Sequence, residues 1–349
     1  MGRGAAALLL RYAVFIFRGA FMRWTLAQRA QLFGLAEGGA LTPEQFGQAA
    51  AQARIHPEAR EWQQTFDRLL AFGGALLLGA ALVFFFAYNW DVLHRFAKFG
   101  LAATALLACA LVALWSKPRE VAFRAALFGV CIATGALLAL IGQAYQTGAD
   151  LWELFAAWAA LMLPFALLSR SSACWALWLV VVNAAMLRAL PQSAVWGYID
   201  SLFHLRSLLA LAGLNLLVLL LFEGFGRVLL GEPRRWMPRL AAVGVVAPLC
   251  VAAIAGWFEA GFRPGLAVFA VVAIAGAIVY RALRQDIAIL ALLSYATIAV
   301  LTAGLAELLD GRSFLALNGL GLFVIFTSGA AGWWLMRLHR AGRGEEGVA

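Results

Sequence analysis

Charge is what this sequence has least of. Asp, Glu, Lys and Arg together make up 13% of its 349 residues, where a soluble domain carries roughly 25%. With 64% hydrophobic residues and a mean hydropathy of +0.86, most of the chain has to lie in lipid. Cysteine is equally sparse. Cys109, Cys131, Cys174 and Cys250 fall in four different apolar runs without a CxxC pair, so each reads as a small buried hydrophobe. The histidines, His56, His94, His204 and His339, lack the i, i+4 pairing with which a helix holds a metal. No metal site, haem or other cofactor is expected. Enzyme signatures are missing too: there is no GxSxG, Walker A, HExxH or strand-preceded GxGxxG. No enzyme is expected on that ground. No apolar run holds two carboxylates, which disfavours proton-coupled pumping, since that chemistry draws on buried carboxylates or histidines. The excess of 27 Lys+Arg over 18 Asp+Glu is not a nucleic-acid footprint, because no basic cluster with interleaved aromatics stands on a polar domain.

What the chain has in abundance is long apolar runs. Ten of them approach the ~20 residues that cross a ~30 Å hydrocarbon core, at roughly 69–90, 97–115, 122–142, 151–168, 172–190, 206–222, 239–257, 265–281, 286–305 and 314–336. The expected fold class is therefore an all-α polytopic membrane protein of about ten transmembrane helices behind a small cytoplasmic helical segment. Residues 1–22 form an apolar, basic leader in which Arg11 and Arg18 lie seven apart on one helical face. It reads either as an in-plane interfacial helix or as residues preceding a true start at Met22. Residues 23–68 are the one sizeable polar segment. In it Thr42-Pro43-Glu44-Gln45 supplies an N-cap, a proline at the first helical position and a reciprocal Gln, a capping-box start. His56-Pro57 breaks the following helix, and a third, Glu58 to Arg68, leads into the first span. The membrane regions are 69–190 (spans one to five) and 206–336 (spans six to ten), followed by a tail, 337–349.

Orientation follows from where Lys and Arg fall. With the amino terminus inside, Arg95, Lys98, Arg188, Arg206, Arg263 and Arg312 are outside, and the other 21 of the 27 are inside. Both termini then face the cytoplasm. Asn89–Asp91 and Gln143–Asp150, at the tips of the first and third spans, share the outer side.

Polar groups inside or at the edge of a membrane are functional hypotheses by default. Asn89, Asp91, Gln143, Tyr145, Gln146 and Asp150 are the candidate ligand-binding residues, offering amides, a phenol and two carboxylates for a cation, a sugar or a polar headgroup. The competing reading is structural. Asp91 caps the second span, Asp150-Leu151-Trp152-Glu153 starts the fourth, and Tyr88, Trp90, Tyr145 and Trp152 form an interfacial aromatic belt. Asn183 and Asn215, deeper in their spans, read as interhelical glue. Glu223 sits at the cytoplasmic end of the sixth span, where Gly224 follows. Pro248, four residues after Gly244 in the seventh span, is a candidate hinge, since it removes one helical hydrogen bond.

The elements Leu41-Thr42-Pro43-Glu44-Gln45, Ala87-Tyr88-Asn89-Trp90-Asp91, Phe96-Ala97-Lys98-Phe99, Gly142-Gln143-Ala144-Tyr145-Gln146 and Asp150-Leu151-Trp152 resemble the bacterial membrane proteins grouped as domain of unknown function 2157. The resemblance extends over about residues 25 to 190. It implies a class and no activity. It also implies a second integral membrane protein as partner, of a kind that bears a GDYxxLxY motif absent from this chain. Two functions follow as expectations. The first is a multi-pass inner-membrane protein that binds or transports a small polar solute through an outward-facing vestibule. The second is a scaffold or sensor that docks a cytoplasmic or membrane partner. Residues 69–190 and 206–336 share a span count but no motif, which speaks against an inverted transporter repeat.

Overall fold

The computed structural model describes residues 41–52, 59–89, 92–118, 120–145, 150–189, 204–231, 235–309 and 314–345. Among them are eleven α-helices and no strand: α1 Pro43–Gln52, α2 Ala59–Tyr88, α3 Arg95–Trp115, α4 Val121–Tyr145, α5 Leu151–Ser169, α6 Ser172–Ala189, α7 Leu205–Leu230, α8 Trp236–Phe258, α9 Arg263–Ile278, α10 Ile287–Leu308 and α11 Phe314–Glu345. A 3-10 turn, Ala260–Phe262, precedes α9, and a π-helical turn, Val279–Leu283, follows it. Ten spans are long and apolar enough to cross a membrane, given by α2 to α8, α10, α11 and by α9 taken with its flanking turns as Ala260–Leu283. The expected all-α polytopic fold is what the structure has. The leader 1–22 and the His56-Pro57 break lie outside the described residues.

The chain divides into two compact units, Met1–Gly74 and Ala75–Ala349. The first contains α1, whose start is the capping box read from the sequence: Thr42 N–H donates to Gln45 Oε1 (3.0 Å) and Gln45 N–H donates to Thr42 Oγ1 (3.3 Å). Two expected caps differ. Asp91 lies outside the described residues, and α3 is instead capped by His94, whose Nδ1 accepts from Phe96 N–H at 3.4 Å. Asp150, exposed, occupies the N-cap of α5 without a side-chain bond to it. The sixth span also runs longer than expected. Apolar Phe225, Val228, Leu229 and Leu230 carry α7 past Gly224 and Gly226 to Gly231, which closes it at φ +71°. Glu223 therefore lies two turns inside the helix end.

Within the second unit, consecutive helices pack as neighbours from α3 through α6, and α6 meets α7. α8 touches α6, α7, α9 and α10, and the reason is its composition. Ala241, Ala242, Ala252, Ala253 and Gly256 are buried along it. In lipid, where burial of apolar surface drives no association, small residues let helix backbones approach closely enough for dispersion to hold them. Many large apolar side chains stay outward, among them Leu77, Phe84, Leu217, Ile325 and Phe326, as expected where the solvent is hydrocarbon.

Three tryptophans tie α4 to α7 by hydrogen bonds as well as by area. Trp158 Nε1–H donates from α5 to the Cys131 carbonyl of α4 (2.8 Å), and Trp178 Nε1–H from α6 to Ala159 O of α5 (3.1 Å). Trp175 Nε1–H, also from α6, reaches Leu229 O of α7 (3.3 Å). Trp158 can do this because Gly135, one turn from Cys131, leaves room for its ring; a Cβ at Gly135 would collide with the indole. Gly135→Ala is expected to cost about 1–3 kcal/mol by overpacking, read as a lower unfolding midpoint of the detergent-purified protein. Gly213→Ala, where the added Cβ meets nothing, should lower it not at all.

Candidate functional site

Of the residues singled out at the tips of the first and third spans, Gln143 lines a cavity. Between α2 and α4 lies a cleft of about 530 Å³, walled by Val83, Phe86, Ala87, Ala136, Ala139 and Leu140 with Gln143 as the polar side chain on its lining. It opens there because Phe86 and Leu140 anchor α2 to α3 and α4 through Ala102 and their neighbours Leu82 and Leu137, while small alanines face each other beside them. Gln143 is thus placed with its amide exposed at an apolar wall. Asn89, two residues beyond the wall residue Ala87, turns back on its own helix: its Nδ2 donates to Phe85 O at 3.0 Å. Tyr145 is 58% exposed and stacks on Phe99 with ring centroids 5.8 Å apart. Asp150 is exposed at the start of α5. Asp91 and Gln146 lie outside the described residues. Lys98, which the sequence offered for topology and for the family resemblance but not as a site residue, is 7% exposed in the first turn of α3.

The structure adds a cluster at the opposite ends of the spans. Glu223 of α7 accepts from Tyr280 Oη–H (3.1 Å) and pairs with Arg284 Nε (3.3 Å) and Arg235 Nη1 (3.7 Å). Arg284 Nη2 donates to the Glu223 carbonyl and Arg235 Nη2 to the Arg284 carbonyl, each at 3.1 Å. Beside them Arg239 Nε–H is shared by both oxygens of Asp286 at 3.1 Å. Asp286 also caps α10 by accepting from Ala288 N–H (3.0 Å) and Ile289 N–H (3.4 Å). The backbone is irregular at this point. The π turn swings Tyr280 toward α7, and Gln285 adopts φ 48°, a left-handed conformation that a non-glycine residue rarely takes. Asp286 is 3% exposed, and a carboxylate so deep requires the pairing it has. Nothing local in the sequence joins Glu223 to Arg284, 61 residues on. The visible trace is Arg235 and Arg239 at helical spacing beside an Arg-Gln-Asp run at the next span boundary.

A third polar feature is deep in the bundle. Asn215 Nδ2 donates to Asn183 Oδ1 (2.7 Å) and to Leu211 O (2.9 Å), while Asn183 Nδ2 donates to Leu179 O (2.8 Å) and Asn215 Oδ1 (3.3 Å). Each amide gives one hydrogen to its own helix and one to its partner, so both act as interhelical glue. Asn215 is 2% exposed and fits against α8 because Gly244 has no Cβ to strike it. α8 runs unbroken through Pro248, the candidate hinge. The ring nitrogen there carries no hydrogen for the Gly244 carbonyl, so the missing backbone bond falls at the residue that receives Asn215. The four cysteines are free thiols in or near the core, and no group of three or more His, Cys, Asp or Glu suited to a metal occurs among the described residues.

Ten apolar helices with polar groups paired inside and at their ends define an all-α polytopic membrane protein. Comparison with known families narrows the class. Residues 34–175 match the family described as predicted membrane protein, domain of unknown function 2157. That segment contains every sequence element on which the resemblance was drawn, from Leu41–Gln45 to Asp150–Trp152. No curated protein and no solved structure matches the chain.

The amide pair carries a measurable coupling. Asn215→Leu and Asn183→Leu should each destabilise the protein by about 0.6–1.7 kcal/mol. The double variant should lose less than the sum, because both remove one shared interaction. Strict additivity in a denaturation series would show that the two amides do not depend on each other.

Proposed function

We propose that this protein binds a small solute at the outward-facing cleft between α2 and α4, as a multi-pass protein of the bacterial inner membrane with both termini in the cytoplasm. The observation that carries the reading is the cleft itself. Its volume of about 530 Å³ falls in the ~300–1,000 Å³ range of small-molecule sites, which are mostly apolar with a few placed polar groups. Gln143 supplies an amide NH2 and a carbonyl oxygen at an apolar wall. A sugar or free ion has too little apolar surface to gain from such walls. A solute with one polar end and an apolar body suits them better, which narrows the polar solute expected from sequence. Asn89 and Tyr145, each two residues beyond a lining residue of the cleft, are the further groups that would hydrogen-bond the polar end, Asn89 once it releases Phe85 O. Binding and passage are both compatible with this site, and no catalytic step is assigned to it.

A second reading, a scaffold or sensor, draws on α2. Of its most apolar window only 6% is buried, which leaves a face for lipid or for a second membrane protein. The two readings part in the laboratory. In a thermal-unfolding screen of the full chain in detergent, single-chain amphiphiles are tested beside sugars, amino acids and ions. A ligand at a hundred times its dissociation constant raises stability by about 2.7 kcal/mol. The shift should vanish in Gln143→Leu and in Ala136→Phe, which fills the cleft. A shift that survives both variants, or none from any compound, would sink the cleft reading and leave co-purification as the test of the scaffold. The orientation has its own check: a reporter active only in the cytoplasm should be active when fused after Ala349.

A further inference from the structure

The cluster around Glu223 and Asp286 is more than a set of ion pairs, because of which groups lie beneath and which lie on top. The carboxylate side chains of Glu223 and Asp286 are 13% and 1% exposed, while those of Arg235, Arg284 and Arg239 are 43%, 44% and 47% exposed. Two sunken carboxylates therefore hold three half-exposed guanidinium groups from below. Arg235 and Arg284 grip one carboxylate and touch through the Arg284 carbonyl, and Arg239 stands one helical turn from Arg235. The three form a row with one net positive charge. Their inner edges are occupied, but both Nη groups of Arg239 make no hydrogen bond among the described residues.

The helix ends sharpen the point. Arg235 is the N-cap of α8 and Arg239 lies in its first turn, which has no acidic residue. Cations are disfavoured at a helix N-terminus, where the backbone already presents partial positive charge. α10 begins at the same place, at Asp286. Asp286 caps α10, while the start of α8 carries Arg235 and Arg239 with no acidic residue of its own, and the three arginines exceed the two carboxylates by one charge. The carboxylates compensate these cations from below only, so the half-exposed outer edges of the guanidinium groups are left for a counter-charge from outside the chain.

We propose that this row binds a phosphate group, presented by an anionic phospholipid of the leaflet at this end of the bundle. Guanidinium forks match phosphate oxygens bidentately. Basic pockets between transmembrane helices on the cytoplasmic side suit lipid headgroups, and the basic residues assign this end to the cytoplasm. The site is separate from the cleft between α2 and α4 and stands whether or not that cleft binds a solute.

The test uses the full chain in detergent, titrated with phosphatidylglycerol, with phosphatidylcholine, and with inorganic phosphate against chloride at equal ionic strength, with unfolding midpoint and retained lipid by native mass spectrometry as readouts. Phosphatidylglycerol should raise the midpoint and remain bound where phosphatidylcholine does not. Arg235→Gln, which leaves Glu223 paired with Arg284, should weaken that binding about tenfold, the size of one lost charge-assisted contact. Arg239→Lys keeps the charge on Asp286 but loses the fork, and should also weaken it. Arg337→Gln, on α11, is the control and should leave binding unchanged. A shift with inorganic phosphate that phosphatidylglycerol does not exceed would assign the same site to free phosphate. Equal response to both lipids with none to phosphate, unchanged binding in Arg235→Gln, or equal loss in Arg337→Gln would overturn the proposal.

Discussion

A hydrocarbon core offers no partner to a polar group, so every N–H, C=O, amide and charge inside it has to be satisfied by the protein. That constraint accounts for the secondary structure outright, since helices satisfy their own backbones. It also accounts for the placement of the few polar side chains. Asn183 and Asn215 consume each other's hydrogen-bonding capacity. Ser294, Thr134, Thr297 and Thr302 each return a hydroxyl to the carbonyl four residues back. The indoles of Trp158, Trp175 and Trp178 reach carbonyls on neighbouring helices. The hydroxyls are satisfied within their own helices, and the amides and indoles also tie one helix to the next.

Where that rule meets the need for close packing, glycine decides the outcome. Gly244 admits Asn215 and Gly135 admits Trp158, so two of the specific contacts in the bundle depend on the absence of a side chain opposite them. The charged cluster follows the same logic at a membrane boundary. A π turn spends helical regularity to bring Tyr280 and Arg284 within reach of Glu223, and Gln285 takes a left-handed backbone so that Asp286 can face Arg239 and cap α10 at once. Irregular backbone at a point of buried charge is where function is ordinarily stored.

The cleft shows how much of a site a sequence reveals. Gln143 and Asn89 stand out because amides at the tips of apolar runs are unusual, and that signal led to one lining residue, Gln143, and to Asn89, which lies two positions beyond the lining and bonds back to its own helix. The walls themselves are Val83, Ala136 and Ala139, indistinguishable in sequence from any lipid-facing residue. The expected vestibule is polar because only polar residues announce themselves, whereas the cavity's character is set by anonymous alanines. Glu223 illustrates the other failure. Gly224 suggested a helix end beside it, but in a helix buried among others the packing of Leu229 and Leu230 outweighs the propensity cost of two glycines.

What the sequence determined by itself is the class of fold and the order of its spans. Length of apolar run, sparsity of charge and the distribution of Arg are one-dimensional quantities, and the bilayer reads them one segment at a time. Capping at Thr42–Gln45 was equally legible, because its partners lie three residues apart. Tertiary structure alone decided which polar groups meet. The pairs Asn183 with Asn215, Glu223 with Arg284 and Asp286 with Arg239 join residues 32, 61 and 47 positions apart. Their contacts depend on helix rotation and crossing, which are fixed by the shapes of small residues packed against each other rather than by any local pattern.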